Sequence, residues 1–379
     1  MEIDLSELKN KSYECLEGCA MCCLCQPELS EAELEYFKTQ GLTAGLTREH
    51  IQGFVSEKPT AIKLQGGNGA CHFLKDRRCT IHEHRPAFCR QFPVHVHALH
   101  RIQLNGNLSC RGITQGGSTL LEHGKSILSR IPEPMKKQVM DQAGQALGQF
   151  QEEAQENSVH QSPEQLRRTV GVLLPHLARP GGMGQLLAFA DSEPEIGGMP
   201  AEEIVNMILD CEPAQDLQEV ANQGNYAQLD LDNPAWLPVY VGANFKWLVY
   251  RSEDGQIVFY RLEPDGSLEK HESFHLRDIE LLPPDPQALT VFAGYASLLN
   301  SRDQFLGYAY QVCQDQEFAY DLMTVYLGLM GTTLLDLWWR SCLIGYLQGR
   351  KELDKELAEE GIRAFDMDCL DMPTMGVFF

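Results

Sequence analysis

The chain has 379 residues, 43% hydrophobic and 22% charged, a globular composition that excludes a disordered or fibrous protein. Its formal charge of −22 is unevenly placed: residues 1–120 carry 13 Lys/Arg against 13 Asp/Glu, and residues 121–379 carry 18 against 40. So acidic a body repels phosphate backbones and anionic headgroups, which excludes nucleic acid and membrane surfaces as main partners and leaves a protein partner, basic in charge, as the expectation.

At this length more than one domain is expected. The opening segment from Met1 to Glu7 is acidic and amphipathic, with no basic region leading into an apolar run, so no signal peptide and a cytoplasmic location are expected. Ser30-Glu31-Ala32-Glu33 reads as a capping box that opens a helix ending near Gly41. Ala61 to Leu64, the turn Gly66-Gly67-Asn68-Gly69 and Ala70 to Leu74 predict strand, turn and strand, with Cys71 on the second strand. Pro86 and Pro93 bracket a helical turn that carries Cys89.

Helical periodicity runs from Met135 to Phe150 and resumes at Ser162-Pro163-Glu164-Gln165, an N-cap with a first-turn proline. The polar run from Gln151 to Gln161, Pro180-Gly181-Gly182 and the stretch from Pro194 to Pro200 predict loops. Lys246 to Arg251 and Gln256 to Leu262 flank the turn Ser252-Glu253-Asp254-Gly255 and predict a hairpin, with a third strand after Asp265-Gly266. From Pro286 to Gly361 the pattern is helical, and Tyr308, Tyr310, Phe318, Tyr326, Trp338 and Trp339 are assigned to its core. Met323 to Leu335, bounded by Asp321 and Asp336, is the most apolar stretch; it falls short of the ~20 residues that span a bilayer and predicts a buried helix.

Nine of the thirteen cysteines lie within the first 110 residues. In a reducing compartment, thiols grouped in this way bind metal rather than form disulfides. Cys15, Cys19, Cys22 and Cys23 fall within nine residues; Cys71, Cys79, Cys89 and Cys110 follow, and Cys25 is an extra. Four thiolates complete one iron–sulfur cluster or one structural zinc, so the eight serve one site with spares or two. Cys22 and Cys23 are adjacent, so their side chains are expected to diverge and one of them to serve a second site. Cys211, Cys313 and Cys342, isolated on apolar stretches, are expected to be buried small hydrophobes, and Cys369 an incidental thiol. His72, His82, His84, His95, His97 and His100 crowd the same region as surface or hydrogen-bonding residues. Arg85 and Arg90 are expected to serve as countercharges to the thiolates.

Cys15-x3-Cys19-x2-Cys22 also has the spacing of a radical S-adenosylmethionine enzyme. Met21, however, stands where such motifs carry an aromatic, and no alternating strands and helices follow. Gly66-Gly67-Asn68-Gly69 has no lysine and no following helix and is read as a turn, not a phosphate loop. No catalytic residue is assigned.

The motif Cys15-x3-Cys19-x2-Cys22-Cys23, then Cys71-His72-Phe73-Leu74-x4-Cys79-Thr80-Ile81-His82-Glu83-x-Arg85-Pro86-x2-Cys89-Arg90-x-Phe92-Pro93, then Cys110, resembles the YkgJ-like cysteine-cluster proteins, regarded as zinc- or iron-chelating domains. The resemblance covers residues 12 to about 115 and implies a metal domain with ligands Cys15, Cys19, Cys22, Cys23, Cys71, Cys79, Cys89 and Cys110. In length and N-terminal cysteine arrangement the chain is also similar to the flagellin lysine methylases, which implies a protein-directed methyltransferase as an alternative.

The expected fold is α+β, mainly α: a cysteine-rich metal domain of irregular structure at 1–118, a helical region at 119–235, and a small antiparallel β-hairpin region with helices at 236–379. The expected function is that of an iron–sulfur protein, 4Fe–4S with one or two clusters, acting in electron transfer, cluster handling or assembly of a larger enzyme. A zinc-stabilised interaction protein is a further alternative. Iron is preferred because more than four thiolates are present and the tidy paired Cys-x2-Cys knuckles of structural zinc are not.

Overall fold

The computed structural model describes residues 2–49, 60–192, 194, 196, 198–229 and 239–378. Short elements build the cysteine-rich part: β1 (Ile3–Asp4), β2 (Lys11–Tyr13), α1 (Glu31–Thr39), β3 (Leu46–Thr47), β4 (Ala61–Ile62), β5 (Leu74–Lys75), β6 (Arg78–Cys79), α2 (Ala87–Gln91), β7 (Val94–Ala98), β8 (Ile102–Gly106) and β9 (Ile113–Gln115). The body begins with α3 (Thr119–Arg130), α4 (Glu133–Glu156), α5 (Pro163–Leu177), α6 (Gly182–Asp191), α7 (Ala201–Asp210) and α8 (Leu217–Leu229). A meander follows, β10 (Val239–Val241), β11 (Trp247–Glu253), β12 (Gln256–Leu262) and β13 (Leu268–His275), then α9 (Pro286–Ser301), α10 (Asp303–Asp315), α11 (Leu322–Leu347), α12 (Lys355–Leu370) and β14 (Val377–Phe378). The expected α+β, mainly α class is what the chain adopts. The boundary set at 118 falls on the residue that caps α3, and the one at 235 lies outside the described residues.

Several local expectations hold for the reasons given. Ser30 caps α1 with both halves of the capping box formed, and Ser162 accepts the Gln165 N–H at the start of α5. Pro86 precedes α2, which stops before Pro93.

Others need correction. The segment from Ala61 to Leu74 is not a regular hairpin: Ala61–Ile62 pairs with Leu46–Thr47, and only a single bridge joins Leu64 to Cys71. The run from Gln151 is not a loop at its start, because α4 continues to Glu156 on the burial of Ala154. Ser252 and Glu253 belong to β11, which narrows the turn to Asp254-Gly255. In the Pro194–Pro200 stretch, residues 195 and 197 lie outside the described residues. Asp336 does not bound a helix; it sits inside the 26-residue α11 with its carboxylate 3.1 Å from Arg340 Nε one turn on. No helix among the described residues is long and apolar enough to cross a membrane. Tyr310, Tyr326 and Trp339 are buried in the body's core, and Tyr308, Phe318 and Trp338 are half-buried.

A four-stranded sheet ties the two ends of the chain together in the order β1-β8-β7-β14. β1 runs parallel to β8, and β14 pairs antiparallel with β7, setting Phe378 opposite His97. His97 is buried with its ring 4.9 Å from that of Phe378. Burial lowers the His97 pKa to about 4, against the Asp303 charge and a hydrogen bond to the Met375 backbone, which both act the other way. A depressed histidine stabilises the fold at pH above its ordinary value of 6.5, and that contribution is lost as pH falls toward 4. Acidification from pH 6.5 to 4 is therefore expected to remove about 2–3 kcal/mol through this residue. In urea titrations at both pH values, His97→Phe should flatten that dependence, and an unchanged slope would count against the assignment.

Candidate metal centre

The first cysteine loop coils because two of its residues adopt left-handed backbone: Gly18 at φ +80° and Ala20 at φ +52°. Cys19 N–H then reaches Leu16 O at 3.2 Å and Cys23 N–H reaches Ala20 O at 3.0 Å, so Cys15 to Cys23 wraps tightly. The β2–β9 ladder continues into Glu14 N–H to Gly112 O at 3.0 Å, which brings Cys15 beside the Cys110 turn. Cys71 N–H donates to Cys23 O at 2.7 Å, and the β5–β6 hairpin sets Leu74 opposite Cys79. Cys89 rides on α2.

Four sulfurs are met by the backbone N–H two residues further along: Cys19 by Met21, Cys71 by Phe73 at 3.4 Å, Cys79 by Ile81 and Cys110 by Gly112. Such donors favour the thiolate form that a metal requires. Burial acts against it, pushing Cys71 up to about 11 and Cys110 up to about 12, and neighbouring sulfurs add to the rise. Burial raises Cys15, Cys19, Cys79 and Cys89 as well. A cation among these sulfurs removes both costs at once, so the donor set fits zinc or an iron–sulfur cluster.

Cys22 lies in the electrostatic neighbourhood of Cys15, Cys19, Cys23, Cys25, Cys71, Cys79, Cys89 and Cys110 and raises each of them. The Cys22 and Cys23 thiols do not diverge as the sequence suggested; they hydrogen-bond to each other, which lowers Cys22 and raises Cys23. Among the described residues no three His, Cys, Asp or Glu side chains stand as a closed metal-holding group, so the sulfurs form a neighbourhood and not a finished shell. Cys15 alone among the eight is exposed. Cys25 lies in the same field, near Cys22 and Asp371. Cys313, Cys342 and Cys369 are buried in the body's core, as expected of small apolar residues, whereas Cys211 is only half-buried and donates to Met207 O.

Arg85 faces the sulfurs and favours the thiolates of Cys15, Cys22 and Cys79. Arg90 instead donates to the Arg85 carbonyl and so braces its neighbour. His72, His82 and His84 are exposed, and His95 bonds Asn107 Nδ2 at 3.1 Å. Arg85→Ala is expected to weaken metal retention about tenfold, the lower end of what outer-shell partners contribute. A chelator competition that gives equal affinities for the two proteins would remove Arg85 from this role.

The clamps on the cysteine loops come from far along the chain, and the sequence reading missed them. Trp247 Nε1 donates to Cys19 O at 3.0 Å. Arg77 lies over the Trp247 ring at 4.3 Å and donates to Gly18 O at 2.7 Å and to Phe245 O. Arg111, next to Cys110, donates to Val241 O at 2.6 Å and forms a two-pronged ion pair with Glu360 of α12. Asp366 of the same helix accepts the Leu108 N–H at 2.6 Å, and Met367 N–H donates to Ser109 Oγ at 2.9 Å.

No curated protein and no solved structure matches the chain. Residues 14–111 match a family model named CxxCxxCC and described as "Putative zinc- or iron-chelating domain". The segment that gathers the nine N-terminal thiols is thus similar to cysteine-cluster domains described as zinc- or iron-chelating.

Proposed function

We propose that this protein is an iron–sulfur protein, working in electron transfer or in the handling and assembly of clusters, with the helical body as the frame for its cysteine loops. One observation carries the reading: eight thiols from four separate segments share one field, and four of them accept a backbone N–H. Cys15, Cys19, Cys22, Cys23, Cys71, Cys79, Cys89 and Cys110 would hold the metal centre, which when bound supplies one-electron chemistry. The chain's own residues set the conditions. The backbone donors and Arg85 offset the thiolate charge, and the Trp247 and Arg111 contacts hold the loops in place. Exposed Cys15 is where a partner reaches the site, and the acidic excess of residues 121–379 supports a basic protein as that partner.

The test is anaerobic purification with iron, sulfide and absorption measured for wild type beside Cys19→Ala and Cys89→Ala. Iron with sulfide and a band near ~400 nm, lost in both variants, supports the reading. Zinc without sulfide replaces it with a zinc-stabilised interaction protein. Heat of S-adenosylmethionine binding by the metal-loaded chain would favour methyl transfer to a protein instead.

A further inference from the structure

We infer that the helical body carries a docking groove for a basic amphipathic helix of a partner protein, laid between the C-terminal turns of α6 and α10 on the outward face of α11. The inference rests on the reading of a basic protein partner above and is independent of which metal the cysteine loops hold.

Charge marks this face in the sequence. From Pro180 to Phe245 the chain has eleven Asp/Glu and no Lys or Arg, and from Asp303 to Trp339 it has five and again none. The first stretch supplies α6, α7 and α8, and the second supplies α10 and most of α11. Helices commonly set Lys or Arg near their C-termini, where the last carbonyls carry partial negative charge. Neither α6 nor α10 has a basic residue in its last turn; they end on Asp191 and Asp315 instead. Glu317 follows α10, and Glu153 of α4 accepts from Gln314 Nε2 at 3.1 Å, adding a carboxylate beside the same end. Asp191, Asp315 and Glu317 are exposed.

Between the two helix ends lies a cleft of about 280 Å³, with Ala190 of α6, Val312 of α10 and Val325, Gly328 and Leu329 of α11 in its lining. Along α11 the lining runs from Thr324 to Thr332 at helical spacing, about 12 Å at about 1.5 Å per residue. Gly328 opens the floor, because it has no side chain and a Cβ there would meet Ala190 at 3.6 Å. The threonines place no polar demand on an occupant: Thr324 Oγ1 donates to Pro194 O at 3.2 Å and Thr332 Oγ1 to Gly328 O at 3.0 Å. The floor is therefore apolar and the rim acidic.

The cleft is smaller than the ~300–1,000 Å³ that small-molecule sites occupy, whereas an apolar stripe with charged margins is how one helix receives the aliphatic face of another. Electrostatics fixes the sign of the occupant. Lys and Arg beside its aliphatic face would meet carboxylates and two negative helix ends, while an acidic helix would be repelled. A second copy of this chain brings the same acidic rim and is repelled too.

The experiment is calorimetric titration of the full-length chain with three synthetic peptides of about 18 residues, some five helical turns. One is an amphipathic helix of Leu and Lys, one carries Glu in place of Lys, and one is the basic composition in scrambled order. The basic helix is expected to bind one to one, and several-fold more weakly at about 1 M salt, where the screening length is about 3 Å. The other two should bind at least about tenfold more weakly. Gly328→Leu, which fills the floor, and Asp191→Lys/Glu317→Lys, which reverses the rim, should each weaken the basic helix about tenfold. No binding, equal binding of the scrambled peptide, or unchanged affinity in either folded variant overturns the groove. A concentration-dependent dimer that excludes the peptide makes a second copy the occupant and overturns the assigned partner. Since Gly328→Leu can disturb α11, the rim variant, confined to two exposed residues, decides independently. Iron, zinc and sulfide are measured on the same protein: a metal-free chain that binds the basic helix keeps the groove and loses the metal-centre reading, and a metal-loaded chain that ignores the helix does the reverse.

Discussion

Replacing Asp366 by alanine is expected to cost about 3–5 kcal/mol of folding stability, because it breaks a buried ion network and leaves its partners uncompensated. Asp366 and Arg302 are both fully buried, with Arg302 Nη1 donating to Asp366 Oδ1 at 2.7 Å. Arg302 also reaches Glu7 at 2.9 Å and the Gly106 carbonyl at 3.1 Å, and Tyr295 OH donates to Asp366 at 2.7 Å. One carboxylate therefore joins the start of the chain, strand β8, helix α9 and helix α12. Its other oxygen accepts the Leu108 N–H, so the turn that presents Cys110 loosens with it. Metal content should fall in Asp366→Ala, and the denaturation midpoint should drop. Burial alone pushes the Asp366 carboxyl up, but the Arg302 charge overrides it and holds it below the ordinary carboxylate value. A depressed carboxyl stabilises above that ordinary value, ~3.9, and the contribution is lost as pH falls below it. The stability gap between wild type and Asp366→Ala should accordingly close in strong acid. A loss under about 1 kcal/mol at neutral pH would show that the network is not buried as described.

What the sequence could disclose was set by range. The Ser30 and Ser162 caps, the Pro86 start and the Asp254-Gly255 turn act over three or four residues, and each was legible. The spacing of the cysteines was legible too, since a loop that wraps a metal writes its ligands close together. The β7–β8 hairpin was not seen, because its turn Leu99-His100-Arg101 carries no glycine, asparagine or aspartate and β8 is buried at every residue, which erases the period-two signal. β1 and β14 are two-residue strands defined only by their partners. Asp336 was misread as a helix boundary because its Arg340 partner makes a buried carboxylate tolerable only once both are folded. Which cysteine-bearing segments come together depends on which strands pair, as β2 with β9 and β5 with β6, and no spacing encodes that.

Trp247 is the residue whose loss should most directly connect body and metal centre. Its side chain is almost wholly buried among Cys19, Cys23, Cys71, Val249 and Leu262, so Trp247→Ala removes a large apolar payload at about 3–5 kcal/mol. It also removes the donor to Cys19 O, across 228 residues of sequence, and the ring beneath Arg77. These two functions separate. Trp247→Phe keeps most of the ring and loses only the N–H, leaving the Cys19 carbonyl short of a partner at about 1–3 kcal/mol. If the body is a frame for the cysteine loops, Trp247→Phe should lower metal retention while the body's helical signal by circular dichroism stays at the wild-type level. A double-mutant cycle with Arg77→Met then tests the stacked pair: coupling of about 0.5–2 kcal/mol is expected for a cation held over a partly desolvated ring. Zero coupling, together with unchanged metal retention in Trp247→Phe, would make Trp247 an ordinary core residue and leave Arg111, Glu360 and Asp366 as the contacts through which α12 steadies the Cys110 turn.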